Sequence, residues 1–351
     1  MPRRRDLVAL GAWSVLTPRP APAFVDPIEA QALVRERPEH RVLMAVALAG
    51  SRIVAVGQRG LIVFSDDGGV SWKQASVPVD VDLVGAAFVS ASRGWAVGHG
   101  GVVLTSRDAG ATWMTRLAGK LVDDLALRYY AGLTSPTKDQ ERALAAARDQ
   151  ANERRAQPFL DVMFESESTG FAVGAFNMAF RTEDGGATWV PWMDRTSNPQ
   201  GLHFNAVRGW PGCVFLAGER GMVWRFKEGD SRFTPVPTPY KGTLFGLVAP
   251  RDGPVLAFGM RGIAWRSENQ GQTWQAVRLQ TSAGITTGVA FEGSRFALAD
   301  LGGLLHVSDD GGRTFVASRP ASSMPWYAAA TIGPARLVLV GANGARIERL
   351  P

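Results

Sequence analysis

One cysteine, four histidines and four tyrosines in 351 residues leave little from which to build a catalytic or metal site. Cys213 has no partner for an intramolecular disulfide and no companions for a zinc cluster, and beside Val214, Phe215 and Leu216 it reads as a buried, inert thiol. His40, His99, His203 and His306 lie far apart without metal-ligand spacing, so no metal and no cofactor is expected. Gly-x-Ser-x-Gly, Walker and dinucleotide fingerprints are missing. No apolar run reaches the length of a membrane-spanning helix, so no mature transmembrane segment is expected. The formal charge is +6, but residues 1–23 hold four Arg and one Asp, leaving about +3 for the rest. That balance excludes a nucleic-acid binder.

Glycine, by contrast, is abundant and periodic. Seven tetrads punctuate the chain: Gly57-Gln58-Arg59-Gly60, then the units beginning at Gly98, Gly174, Gly218, Gly259, Asp300 and Gly341. Between their last residues the steps are 41, 76, 44, 41, 41 and 41, so one repeat carries an insertion of about 35 residues. A period in the low forties marks a radial β array. Short apolar runs such as Ile53–Val56 and Leu61–Phe64 flank each tetrad, the pattern of a hairpin with a glycine turn.

Six copies continue into an octad that reads Ser65-Asp66-Asp67-Gly68-Gly69-Val70-Ser71-Trp72 in the first repeat. The octad resembles the Asp-box, or bacterial neuraminidase repeat. Its Asp can accept backbone N–H groups, its Gly takes a positive φ, and its Trp pins the turn to an apolar neighbour. Asp67, Asp108, Asp184, Asn269 and Asp310 hold the key position, and the Phe226–Phe233 copy has lost both Asp and Gly. A catalytic acid is needed once rather than five times, so these residues read as structural, and no catalytic role is assigned to them.

With one strand before the first apolar run and one after the octad, each repeat supplies four strands. The fold expected is all-β: a seven-bladed β-propeller with a helical-hairpin insertion between blades 2 and 3. The seventh copy ends at Pro351 after its third strand, so residues Phe24–Ile28 are expected to donate the missing outer strand and close the ring.

Residues 1–23 read as an export signal: Arg3-Arg4-Arg5, an apolar run Leu7–Leu16, and Ala21-Pro22-Ala23 before Phe24. The paired arginines resemble a twin-arginine signal without its usual extension, leaving the Sec and twin-arginine routes open. The mature propeller, 24–351, is expected in the periplasm, or in the thylakoid lumen of a photosynthetic host.

Residues 118–158 switch to a helical pattern. Leu121–Tyr130 forms one amphipathic helix, and Ser135-Pro136 offers a cap and first-turn proline for a second running to about Ala156. The second helix has few large apolar side chains, so it reads either as a solvated hairpin or, from its position, as a docking arm. In a four-stranded antiparallel blade the tetrads and this insertion share one face, and the octads lie on the other. Arg59, Phe176, Arg220, Arg261 and Asn343 occupy the third tetrad position, with His99 beside Gly100 in blade 2. Together they form the candidate partner-binding ring, whose Arg side chains suit an acidic segment or a carboxylate.

Gly94-Trp95-Ala96-Val97-Gly98 leading to Thr112-Trp113, and Gly170–Gly174 leading to Thr182-Glu183-Asp184-Gly185-Gly186, resemble the repeat of the lumenal photosystem II stability and assembly factors. The resemblance covers essentially the whole mature chain. It implies a non-enzymatic propeller that assists a membrane-embedded complex through an arginine-lined face. The helical insertion is more similar to exported bacterial relatives linked to RND-type exporters, which favours an envelope complex over photosystem II. The alternative is a glycan-binding protein or glycosidase of the sialidase or xyloglucanase type. Arg59, Arg220 and Arg261 could imitate a sialidase triad, but Tyr240 and Tyr327 have no adjacent Glu in sequence, and sialidases use six blades.

Overall fold

The computed structural model describes residues 25–153 and 156–350. Seven antiparallel sheets follow one another in chain order, six of four strands and the last of three. Blade 1 shows the plan: Leu43–Ala49 innermost, then Arg52–Gly57, Ile62–Ser65 and the outer Lys73–Gln74. The second strands are continuous apolar runs because neighbouring blades cover both of their faces, and Ile53, Val54, Ala55 and Val56 are fully buried.

The ring closes without the expected strand exchange. The inner strand of blade 7, Trp326–Thr331, packs beside that of blade 1, and Val46, Ile53, Val338 and Val340 share one core. Phe24 lies outside the described residues, and Val25–Ile28 forms no strand on blade 7. Instead the Pro27 carbonyl accepts from Asp80 N at 2.7 Å, and Ala32 N donates to Val77 O at 3.0 Å, laying this segment along blade 1 and its link to blade 2. Two features hold it there. Pro27 has no N–H to give to a ladder, and the Ile28 side chain seats against Gly100 and Gly119, where an added Cβ would fall 2.8 Å and 2.6 Å from its carbons.

Every inner strand carries a one-residue irregularity at its second position, where the register against its neighbour shifts. The extra residues are Met44, Val84, Leu160 and Asn205 in blades 1 to 4, and Phe245, Thr286 and Tyr327 in blades 5 to 7. All are half-buried and line the central channel, a cavity of about 350 Å³. A bulge of this kind re-aims one side chain per strand, and seven of them make a collar.

The insertion forms α1 (Lys120–Ala131) and α2 (Lys138–Asn152). Thr137, rather than Ser135, caps α2: its side chain accepts from Gln140 N, while Thr137 N donates to the Gln140 side chain at 2.9 Å. The hairpin packs one face against blade 3 rather than lying solvated on all sides. Val122, Ala126 and Tyr130 of α1 and Ala143 and Ala147 of α2 share a core with Phe159, Met178, Trp189 and Met193. The small side chains of α2 are what permit its close approach. Burial of each large side chain there contributes about 1.5–3 kcal/mol.

Candidate functional site

Steric demands fix the tetrads. At their first position a Cβ on Gly57 would lie 2.1 Å from the Val42 carbonyl oxygen, because the start of the inner strand passes directly over the turn. The second residue then bonds that same carbonyl, as His99 N does with Asp82 O at 2.9 Å and Met260 N with Thr243 O at 3.2 Å. These bonds put the tetrads on the same face as the links between blades, and with them the insertion.

The third position is left-handed through the first five blades: Arg59 at φ 54°, Gly100 at 68°, Phe176 at 51°, Arg220 at 55° and Arg261 at 60°. Four side chains thus stand where glycine costs least, at roughly 1–2 kcal/mol each. Strain of that kind points to a role outside folding. The fourth position is also left-handed, and Asn177 replaces glycine there by donating Nδ2 to Met193 O at 3.0 Å and accepting from Thr196 at 2.7 Å.

The predicted ring residues differ in environment. Arg59 is engaged: its Nη2 meets Asp80 at 2.7 Å, and that hydrogen bond and charge raise its pKa further. Arg220 donates to the neutral Gln200 at 2.8 Å. Arg261 is exposed and has no acidic partner within bonding distance among the described residues. Phe176, 51% exposed, leans edge-on against His203 at 4.5 Å between ring centroids. His99 and Asn343 are exposed on their own blades. Phe176, Arg220 and Arg261 therefore occupy the consecutive blades 3, 4 and 5, and Phe176 also borders a groove of about 230 Å³ along α2 with Arg142, Asn177 and Gln200.

The octads lie on the opposite face and bind their own chain. Ser71 N donates to Asp67 Oδ1 at 2.9 Å, Ser65 Oγ to the same atom at 2.8 Å, and Gly69 N to Ser65 Oγ at 2.8 Å. The pattern recurs at Asp108, Asp184, Asn269 and Asp310. Hydrogen bonds from Ser71 and Thr314 hold the Asp67 and Asp310 carboxyls far below the ordinary range. The fourth octad carbonyl also accepts a donor from the preceding blade. Trp95 Nε1 reaches Gly185 O at 3.0 Å, Arg225 reaches Gln270 O at 2.8 Å, and Arg266 reaches Gly311 O at 2.6 Å. These turns staple neighbouring blades.

Two polar pairs escaped the sequence reading. Asp300, at the first tetrad position of blade 6, and His306 are both fully buried, with His306 Nε2 3.0 Å from Asp300 Oδ2. Burial pushes the Asp300 carboxyl up, but the His306 and Leu304 hydrogen bonds outweigh it and leave the pKa lowered. In the channel, buried Asp161 pairs with half-exposed Arg208 and accepts from Val162 N at 3.0 Å and Val207 N at 2.8 Å. The signal was a charge inside an apolar inner strand, as in Phe159-Leu160-Asp161-Val162. Cys213 is buried and unpaired, as its neighbours implied, and burial pushes its thiol up. Among the described residues no three His, Cys, Asp or Glu cluster as a metal site, and no helix is long and apolar enough to cross a membrane.

The family described as photosynthesis system II assembly factor YCF48 matches residues 147–323, just over half of the chain. The chain belongs to the YCF48 family. Solved structures agree on the fold: YCF48 bound to D1 peptide has a TM-score of 0.64 at 15% identity, covering 91% of this chain and 99% of that one. YCF48 from Cyanidioschyzon merolae gives 0.64 at 18% identity, covering 92% and 99%. The WD40 propeller domain of Doa1 gives 0.61 at only 7% identity, covering 92% and 96%. No curated protein sequence matches the chain. The expected seven-bladed plan with a hairpin between blades 2 and 3 is the architecture of this YCF48-family protein.

Proposed function

We propose that this YCF48-family protein is a non-enzymatic assembly factor that binds an exposed acidic or carboxylate-bearing segment of a membrane protein on its tetrad face. One observation carries the reading: Phe176, Arg220 and Arg261 are held outward in strained left-handed turns on three consecutive blades. An exposed aromatic beside two guanidinium groups suits an extended peptide with a carboxylate, which Arg takes in bidentate fashion. The solved YCF48 bound to D1 peptide is the precedent for a peptide ligand in this family. Export of the mature chain, signalled by residues 1–23, would bring the propeller to the non-cytoplasmic face of its membrane. A photosystem or another envelope complex both fit this reading, while an RND-type exporter draws no support from the matched proteins.

The test is affinity capture from solubilised membranes with the mature propeller and with an Arg220→Gln/Arg261→Gln variant. The expected result is a membrane protein retained by the first and released by the second at unchanged thermal stability. Equal capture by both would overturn the assignment to this face.

A further inference from the structure

We propose that the rim of blade 3 beside blade 4 is a docking site for a main-chain turn of a partner protein, which supplies the carbonyl that the decayed octad of blade 4 withholds. The octads of blades 2, 3, 5 and 6 each receive a side-chain donor from the preceding blade at their fourth carbonyl, as Arg52 Nη1 does on Ala109 O at 3.3 Å in blade 2. Three blades carry an arginine immediately before the octad: Arg181, Arg225 and Arg266. Arg225 and Arg266 reach the next octad. Arg181 faces the Phe226–Phe233 copy, and its Nε is buried with no acceptor among the described residues. Buried donors in folded proteins almost always have one.

The cause lies in blade 4. There Glu228 N donates to Gly212 O at 2.9 Å and Lys227 N to Asp230 Oδ2 at 2.8 Å, which folds the turn back on its own blade. A Cβ on Gly229, the fourth residue, would have no neighbour within 4 Å, whereas one on Gly311 would lie 3.6 Å from Arg266 Nη2. Both Arg181 and Arg266 bind the second octad residue, at 3.0 Å to Glu183 and 2.8 Å to Glu268. Only Arg266 adds a carbonyl, and its side chain is 5% exposed against 24% for Arg181. The ion pair is thus no substitute for the carbonyl.

The Arg181 guanidinium lies over the Trp192 ring at 4.8 Å, and that of Arg195 sits 5.0 Å from the same centroid. The Arg195 side chain makes no hydrogen bond among the described residues, so two guanidinium groups stand short of acceptors beside a cavity of about 350 Å³. Val190, 40% exposed, gives that cavity an apolar wall. Glu183 and Asp184 balance the two arginines, so the cavity carries no net charge. A neutral carbonyl suits it better than an anion, and a main-chain turn is the group that Arg225 and Arg266 already bind.

Arginine side-chain NMR on the mature propeller tests this, with a disulfide-cyclised peptide of the blade 5 octad, Ser267–Trp274, as the probe. A scrambled cycle and sodium acetate are the controls. The expected result is a saturable shift of the Arg181 and Arg195 Nε–H signals and slower solvent exchange at Arg181, with Arg225 and Arg266 unmoved. Arg181→Lys keeps the charge beside Glu183 but removes the Nε donor, and should weaken binding about tenfold, the worth of one charge-assisted hydrogen bond. Arg266→Lys breaks an internal staple, so it should lower the melting temperature and leave binding unchanged. The Arg220→Gln/Arg261→Gln variant should bind as the parent does, because the cavity adjoins the octads, and failure here is therefore distinguishable from failure of the tetrad-face reading. No saturable shift, an equal response to the scrambled cycle, acetate moving the same signals, or full affinity in Arg181→Lys would overturn the proposal. So would slow exchange at Arg181 Nε without peptide, which would show the donor already satisfied.

Discussion

The Tyr130 hydroxyl donates to Asp194 Oδ1 at 2.9 Å in a buried contact that ties α1 to the end of blade 3. Gln140 of α2 reaches the other Asp194 oxygen at 3.3 Å, and Arg232 of blade 4 bonds both Asp139 of α2 and the Asp194 carbonyl. The insertion is thereby woven into two blades.

Tyr130→Phe should therefore destabilise the fold by about 1–3 kcal/mol, because it strips a donor from a buried carboxylate. Chemical denaturation would measure this. Deleting residues 120–157 should do more, exposing Phe159, Met178 and Trp189 and giving aggregated or poorly folded protein. A deletion variant that stays folded and monomeric would contradict the packing described for α1 and α2.

At Arg261 stability and function should move in opposite directions. Arg261→Gly relieves a left-handed φ of 60°, so the folded state should be unchanged or up to about 1 kcal/mol more stable. Partner capture should fall. Denaturation and capture assays on the same preparation decide the matter, and a clear loss of stability would show that the side chain supports the fold.

The octad carboxylates should contribute to the acid limit. Asp67 and Asp310 have folded pKa values held below their unfolded ones, so their stabilisation is present above the ordinary carboxylate range. It is lost as pH falls below about 4 and through the lowered folded values. Thermal melts should drop steeply there. Asn269 shows that an amide fits the same turn, accepting from Thr273 N at 2.8 Å and donating to Thr273 Oγ1 at 2.9 Å. An Asp67→Asn/Asp310→Asn variant should stay folded at neutral pH with a shallower acid decline, whereas the matching Ala variant should lose stability at every pH. An unchanged acid limb in the Asn variant would place the titrating groups elsewhere.

How much was legible in the sequence followed from periodicity. The tetrads and octads recur because each turn obeys a steric rule, whether a carbonyl over Gly57 or a positive φ at Gly69, and a repeated rule leaves a repeated residue. Closure was misread because it depends on a single event. Pro27 and Ile28 look like an available strand, but the socket formed by Gly100 and Gly119 for Ile28 is tertiary and has no periodic signature. The hairpin was undervalued for a related reason. The alanines of α2 look too small to bury much surface, yet small side chains are what allow a helix to sit close against Met193. Alignment of the repeats gives the candidate ring positions, but the ion pair that occupies Arg59 comes from Asp80 on a linker outside the repeat pattern.

Asp300 breaks the glycine rule at the first tetrad position, and His306 explains how. At the position of His306 the other six repeats carry Val63, Leu104, Phe180, Trp224, Trp265 and Ile347, all apolar. Blade 6 has exchanged a glycine and an apolar residue for a buried acid and a buried base, with Asp300 Oδ1 also accepting from Leu304 N at 2.9 Å. A buried pair of this kind is costly to break and far less costly to replace as a unit. His306→Leu should therefore destabilise by about 3–5 kcal/mol, since it leaves Asp300 buried without its partner. Asp300→Gly/His306→Leu restores the pattern of the other blades and should recover most of that loss. Denaturant titration of both single variants and the double variant gives the coupling directly. If the two single losses simply add, the pair is not a unit, and Asp300 must be held in blade 6 by its backbone contacts alone.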